Sequence, residues 1–239
     1  MIIGPVIDSV ATFTGAILGA TFSTKIPERL KTMLPLTFGA VSMAMGVVMI
    51  AKVNLLPPVV LSLLIGSTIG ELLKIEQGIE RIALNVNNQV SPLFPAKLSQ
   101  KNDKNFLTGF VSVLVLFSAS GTGIFGAMNE GITHNNSILI SKAFLDFFTA
   151  IIFATSLGIM VATTVIPQFI ILISLYFLGG VIMPYTTPEL TADFSACGGV
   201  IMLATGLRIT NIKVFPIANM LPALLIVMTI SHYWRIIFL

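Results

Sequence analysis

Lys142 and Asp146 are the two residues of this chain with the clearest potential for chemistry. They lie four residues apart inside an apolar run at 138–163, and that spacing places two side chains on one face of a helix. Asp146 is about ten residues into the run, or ~15 Å from its start at 1.5 Å per residue. A charge this deep in a bilayer indicates either a transport site or a self-neutralising pair that ties two helices together. The sequence leaves both interpretations open.

A second candidate lies in FSASGTGIFGAMNEG at 117–131. GTGIFG matches G-x-G-x-x-G, and Asp146 follows twenty residues after its last glycine, as in a dinucleotide-binding fingerprint. That fingerprint needs a short strand before it and a soluble βαβ unit around it. Here it ends the long apolar run NFLTGFVSVLVLFSAS. The surroundings therefore exclude a nucleotide site.

Two interpretations of this stretch remain. Its small residues could simply let helices pack closely. Alternatively the helix breaks at Gly121-Thr122-Gly123, and its freed carbonyls and hydroxyl groups face a polar cavity. Such oxygen ligands would suit a small cation such as Na⁺, with Asp146 supplying the charge. The candidate ion- or substrate-binding residues are Asp146, Ser118, Ser120, Thr122, Gly121, Gly123, Asn219, Lys142, Asp8 and Glu71.

Three of these candidates lie outside the opening motifs. Asp8 is in the first apolar run, where we expect it nearer the outer surface and cheaper to solvate than Asp146. Glu71 ends the third run next to Lys74, so it is either an interfacial acid paired with lysine or part of a pathway. Asn219 precedes Pro222, and its amide could coordinate a cation or form a hydrogen bond between helices.

The sequence lacks the motifs that are typical of enzymes and metal sites. His134 and His232 are far apart, and HExxH, G-x-S-x-G, P-loop and Cys-x-x-Cys motifs are missing from the chain. Cys197 is the only cysteine, so an intramolecular disulfide and a thiol-rich metal site are excluded. We therefore expect neither an enzyme nor a bound cofactor, and the residues leave any metal unknown.

The elements that position these residues are membrane spans. Of the 239 residues, 55% are hydrophobic and 10% charged, with a mean hydropathy of +0.98, so lipid must face most of the outside. The fold class we predict is an all-α, polytopic transmembrane bundle forming a single domain over 1–239. Its eight predicted spans are 3–22, 33–51, 55–73, 106–127, 138–163, 166–184, 193–210 and 214–237. The hydrophilic segment 74–105 is predicted to form a cytoplasmic surface helix followed by a loop.

The distribution of Lys and Arg orients these spans. With the N-terminus outside, the external segments hold only Lys52 and Arg235. The cytoplasmic segments then hold Lys25, Arg29, Lys31, Lys74, Arg81, Lys97, Lys101, Lys104, Arg208 and Lys213. The bias predicts both termini outside, in the cell membrane (the inner membrane of a bacterium).

A weak internal repeat adds to this topology. A shift of 160 residues aligns Gly19 with Gly179, Gly39 with Gly199 and Gly46 with Gly206, although identities overall are few. The shift maps spans one to three onto spans six to eight in the opposite orientation. Inverted repeats are typical of secondary transporters, which bind substrate near the membrane midplane.

Several segments together resemble the family numbered 554 among domains of unknown function. They are KIPERLKTML, SLLIGSTIGELLKIEQGIERI, GIFGAMNEGI, ILISKAFLDFFTAIIFATSLG and IKVFPIANMLPALL. The resemblance implies an integral membrane protein of bacteria, in a family labelled a sodium channel or pump without an established function. The recurrent family positions are Glu71, Gly126, Gly131, Lys142, Asp146, Asn219, Leu221 and Pro222. The chain departs from the family pattern at 118–122, where the family has a Cys-x-Gly-x-Met type of stretch.

Together these features predict a transporter or channel for a small cation (Na⁺ or H⁺) or a small polar solute, with its site at a broken fourth span. The alternative is a non-transporting membrane scaffold or regulator, in which the polar residues only tie helices together. The expected partners are the lipid bilayer, the transported ion or solute and further copies of the chain in a homo-oligomer. Nucleic acid is not expected as a partner.

Overall fold

The computed structural model describes residues 2–23, 27–79, 81, 110, 113–114, 116–118 and 120–238. These residues form helices and turns without a strand, which confirms the all-α class. The helices are α1 (Gly4–Thr21), α2 (Glu28–Ile50), α3 (Leu56–Leu73), α4 (Gly121–Thr133), α5 (Ser137–Leu157), α6 (Val165–Ile182), α7 (Pro188–Ile209), α8 (Ile217–Met220) and α9 (Pro222–Phe238). Short 3₁₀ segments cover Gly158–Thr164 and Met183–Tyr185, and residues 75–79 are also helical.

Five stretches of the described chain are long and apolar enough to cross a membrane. They are Arg29–Ile50, Leu56–Leu73, Ser137–Tyr185, Pro188–Ile209 and Ile217–Phe238. The 49-residue stretch Ser137–Tyr185 contains both α5 and α6, which correspond to two predicted spans. The chain is thus a polytopic helical bundle, and the count of eight spans stays a prediction.

Several predicted boundaries were wrong for local reasons. The fifth span ends at Leu157, because Gly158 takes a positive φ of +66° that stops the α-helix. The seventh begins at Pro188 rather than 193, since the Thr187 hydroxyl accepts a hydrogen bond from Leu190 N and proline suits a first helical turn. The start of span four at 106–109 and residues 82–105 of the predicted surface helix and loop lie outside the described residues.

Backbones approach closely where glycines meet a neighbouring helix. A Cβ added to Gly15 would lie 2.3 Å from the carbonyl oxygen of Phe147, and one added to Gly19 would lie 2.2 Å from that of Ile151. In α3, a Cβ on Gly66 would meet Ala223 N at 2.3 Å. The small-xxx-small spacings Gly15/Gly19 of α1 and Gly66/Gly70 of α3 therefore serve helix packing.

The contact between α2 and α7 has a regular arrangement. Gly46 faces Gly199 and Gly39 faces Gly206, and an added Cβ at any of the four would lie 2.7 Å or less from a backbone oxygen or side-chain carbon of the other helix. Ser42 donates to the carbonyl of Met202, 160 residues later in the chain, at 3.0 Å. The shift of 160 residues in the predicted repeat maps Gly46 onto Gly206 and Gly39 onto Gly199. It therefore relates the Gly46–Gly199 contact to the Gly39–Gly206 contact. The correspondence supports the repeat, which stays a prediction.

Gly46→Ala should separate these two helices. The new Cβ would lie 2.6 Å from Gly199 O and 2.8 Å from Leu203 N, so the backbones must move and we expect a loss of about 1–3 kcal/mol of stability. Gly180→Ala is the matched control, because its Cβ would meet its nearest atom at 3.9 Å. The free energy of unfolding in mixed micelles measures both. Equal effects of the two substitutions would contradict the close α2–α7 contact.

Candidate functional site

A break in the helical path lies at Ser120. Its backbone is extended, with φ −70° and ψ 139°, and α4 begins at the next residue. The Ser120 hydroxyl accepts a hydrogen bond from Gly123 N at 3.1 Å, and its carbonyl accepts one from Ile124 N at 3.0 Å. Ser120 is therefore a helix N-cap. The interruption falls one residue before the predicted Gly121-Thr122-Gly123, and a continuous helix over 106–127 is excluded.

A cluster of ionic and polar groups lies beside this break. Lys142 Nζ is 2.8 Å from Asp8 Oδ2 and also donates to Asp146 Oδ2. The Gln168 amide nitrogen donates to the same two carboxylate oxygens, at 2.8 Å to Asp8 and 3.0 Å to Asp146, and lies 3.2 Å from the Thr12 hydroxyl. All five residues are buried. Helices α1, α5 and α6 therefore meet at what we call the carboxylate–lysine cluster, made of Asp8, Thr12, Lys142, Asp146 and Gln168.

The cluster contains two carboxylates and one ammonium group. When both acids are ionised it carries one excess negative charge, in a region where charges are costly to leave uncompensated. Asp8 Oδ1 and Gln168 Oε1 are buried without a hydrogen-bond partner. A proton or a small cation would supply both the missing charge and a partner for these oxygens.

Gly123 connects the break to the cluster. A Cβ at this position would lie 2.8 Å from Lys142 Cε and 3.0 Å from Ser120 Oγ. The absence of a side chain lets the lysine stem pass directly against the first turn of α4. The glycines of this motif thus have a positional reason that is unrelated to nucleotide binding.

A cavity of about 520 Å³, which we call the first cavity, opens beside the cluster. Lys142 and Asp146 line it, and Arg208 lines it together with residues of the α7–α8 turn such as Asn211 and Val214. Its hydroxyl groups come from Ser42, Ser120, Thr122, Thr149 and Thr205. Much of the remaining wall is apolar, including Phe38, Leu145 and Ile152. The cavity could hold a small molecule with both polar and apolar parts.

The predicted candidates separate into two groups. Asp8, Lys142 and Asp146 form the cluster, with Gly123 against it, while Ser120 and Thr122 line the first cavity. The expectation that Asp8 is cheaper to solvate than Asp146 was wrong, because its side chain is fully buried and Lys142 binds it; its position nearer the outside stays a prediction. Ser118 is buried with an unpartnered hydroxyl and lies outside the described lining of the cavity. Gly121 starts α4.

Asn219 and Glu71 belong to a different network. The Asn219 amide donates to Glu71 Oε2 at 2.6 Å and accepts from Glu76 N at 2.8 Å. Glu76 in turn binds Arg208 at 2.5 Å and accepts from Ala218 N at 3.2 Å. These contacts join the end of α3 to the α7–α8 connection. A structural role of Glu71 and Asn219 accounts for their contacts without an ion.

Gln168, Thr12, Ser42 and Arg208 are site residues that sequence reasoning missed. Gln168 follows Asp8 by 160 residues, so the repeat shift pairs these two positions and could have identified the glutamine. Ser42 bonds Met202 at the same offset, and its hydroxyl is 3.3 Å from that of Thr122. Two further acids, Glu130 and Asp193, accept backbone N–H groups at the starts of α1 and α3.

Comparisons with known proteins place the chain among relatives without an assigned activity. Residues 3–232 match the family model described as protein of unknown function (DUF554). The chain is 47% identical over 234 residues to an uncharacterized protein, YqgA, of Escherichia coli K12, with 98% of each chain covered. It is 25% identical over 229 residues to an uncharacterized membrane protein, YdfK, of Bacillus subtilis 168, with 93% of each covered. No solved structure matches the chain.

Proposed function

The chain belongs to the DUF554 family of proteins of unknown function, and from its geometry we propose that it is a cation-coupled transporter of a small polar solute. The solute would occupy the first cavity, and H⁺ or Na⁺ would bind at the carboxylate–lysine cluster. The observation that carries the proposal is the excess carboxylate of this cluster, which lies beside a cavity lined by Lys142 and Asp146. A cluster whose only role was to tie helices together would be expected to balance its charges.

The size of the cavity favours a solute over a bare ion. Its 520 Å³ fall within the range of small-molecule sites, and its wall mixes hydroxyl groups with apolar side chains. Asp146 faces this cavity, whereas Asp8 lies fully buried behind Lys142. A cation at the cluster would therefore change the charge that the solute meets. This arrangement supports coupling between cation binding at the cluster and solute binding in the first cavity.

The side to which the cavity opens follows from the predicted topology. Arg208 and Asn211, which line it, are at and just after the C-terminal end of α7, and the positive-inside rule assigns this end of α7 to the cytoplasm. The first cavity would then face the cytoplasm. Transport in either direction would require a second arrangement that opens to the other side.

Flux in liposomes tests the proposal. Purified protein is reconstituted with a pH-sensitive or Na⁺-sensitive dye inside, and an H⁺ or Na⁺ gradient is imposed with the membrane potential clamped. We expect cation movement above that of protein-free vesicles, increased by adding the correct member of a panel of small amphipathic solutes outside. Absence of H⁺ and Na⁺ flux, with and without the panel, would refute transport and favour the scaffold.

A further inference from the structure

A second cavity of about 330 Å³ lies at the opposite end of the α2–α7 pair from the first. It is lined by Lys52, Asn129, Thr133, Thr191 and Ser195 among others. Lys52 follows the end of α2 and Thr191 lies in the first turns of α7, whereas Pro35 and Arg208 of the first cavity lie at the other ends of these helices. The two cavities therefore open toward opposite sides of the bundle.

Helix α7 presents one continuous face to both cavities. Thr191 and Ser195 line the second cavity, and Thr205 and Ile209 line the first. Successive spacings of three and four residues connect these positions through Gly198 and Met202, so all of them lie on the same side of the helix.

Helices α2 and α4 show the same arrangement. In α4, Thr122 lines the first cavity and Asn129 the second, with Phe125 between them. In α2, Ser42 lines the first cavity and Met49 the second. Met45 lies between these two at helical spacing.

The residues between the cavities are apolar and tightly packed. Phe125 is fully buried, and its ring lies so close to Gly198 that an added Cβ would be 2.2 Å from a ring carbon. Its ring centroid is 5.3 Å from that of Phe194. Phe125 and Met202 share one buried apolar cluster, and Met45 packs against it. Thr122 and Asn129 are seven residues apart, so this apolar layer is ~10 Å thick.

We propose that the two cavities are the two ends of one route through the protein, closed in this state by a plug of Met45, Phe125 and Met202. The inference rests on the proposed transport function, because it assigns the second cavity as the opposite access to the same site. Gly198 provides the space that the Phe125 ring fills, and displacement of this ring would connect the cavities. A dry apolar constriction of this kind stops polar solutes without any ionic contact.

Side-specific cysteine labelling tests the plug. Cys197 is the only native cysteine and is buried, so Cys197→Ala gives a cysteine-free parent. Into it Thr205→Cys is placed in the first cavity and Ser195→Cys in the second, in liposomes of known orientation. With a charged methanethiosulfonate we expect each cysteine to react from one side only, and from opposite sides. Phe125→Ala should raise the rate from the closed side by about tenfold or more, since the constriction is lost.

Two further variants separate the plug from a general loss of packing. Phe117 is equally buried but belongs to the apolar cluster shared by α1 and α5, so Phe117→Ala should leave the sidedness unchanged. Met45→Ala removes a smaller part of the plug, and it replaces Phe125→Ala if that variant does not accumulate as folded protein. We expect it to increase closed-side labelling as well. The plug is refuted if both cysteines react from the same side in the parent, or if the folded plug variants keep the parent's sidedness.

The labelling needs no transported substrate, so the two proposals can fail separately. A chain that labels as expected but carries no flux contradicts the transport function alone. Conversely, flux that depends on Asp146, with sidedness unaffected by the plug variants, contradicts the plug alone.

Discussion

Lys142→Met is expected to destabilise the protein by about 3–5 kcal/mol, the usual cost of removing one partner from a buried ionic cluster. The ammonium group is the shared partner of Asp8 and Asp146, whose Oδ2 atoms both accept from it. Without it, the two carboxylates share the Gln168 amide as a neutral donor among the described residues, and this amide also contacts the Thr12 hydroxyl. The free energy of unfolding in mixed micelles measures the loss, together with the yield of monodisperse protein.

A triple variant separates charge from packing. Asp8→Asn and Asp146→Asn added to Lys142→Met remove both anions and leave amide groups that can bond with Gln168. We expect this protein to recover most of the lost stability, because no buried charge remains without a counter-charge. The prediction that Lys142 stabilises the fold by neutralising Asp8 and Asp146 is contradicted by either of two results: Lys142→Met is as stable as the wild type, or the triple variant is the least stable of the three.

Asp146→Asn is expected to abolish cation-coupled flux while the chain stays folded. The amide keeps the shape of the carboxylate and can still accept from Gln168, but it cannot exchange a proton or bind a cation by charge. It also leaves one carboxylate for one ammonium, which is a balanced pair. Flux into liposomes should fall to that of protein-free vesicles, because the charge that binds the cation is removed, with stability within about 1 kcal/mol of the wild type.

Asp193→Asn is the matched control for this substitution. Asp193 is also fully buried, but its Oδ1 accepts from the backbone N–H groups of Asn54 and Leu55 at 2.9 and 2.7 Å, and its Oδ2 accepts from the Ser231 hydroxyl and lies 3.5 Å from Arg235. An asparagine there keeps one oxygen for the two backbone donors and loses the ion pair with Arg235, which lies outside the cluster, so flux should survive. Full flux in Asp146→Asn, or equal loss in both variants, would show that Asp146 carries no coupling.

The sequence predicted the helical class and much of the site because single residues carried the information. Lys142 and Asp146 are four residues apart, and helical geometry alone brings them together. Ser120 and the glycines after it similarly identified the break. Thr187 and Pro188 also indicate the start of α7 from the local sequence alone. Their assignment to a loop placed the predicted start of the seventh span at 193.

The rest of the candidate site depends on contacts between helices that are far apart in the sequence. The position of Asp8 in the first apolar run does not reveal that its side chain is fully buried. Its true environment is set by Lys142, 134 residues later, and by Gln168, 160 residues later. Gln168 has no charge to attract notice, and only the weak repeat related it to Asp8. For Glu71 and Asn219 the sequence left a site role and a structural role open; in the fold they bond to each other at the end of α3 and do not contact the cluster.

The distance along the chain between Asp8 and Lys142 also determines the order of biosynthesis. At ~5–20 residues per second, the ribosome needs about 7–27 s to synthesise the 134 residues that separate them. During this time α1 meets the lipid with Asp8 unpaired in its second turn, and insertion of an aspartate costs up to about 2.5–3.5 kcal/mol, the value for a helix centre. We therefore expect stable insertion of α1 to depend on α5, and chains truncated before Lys142 to hold α1 less firmly in the membrane.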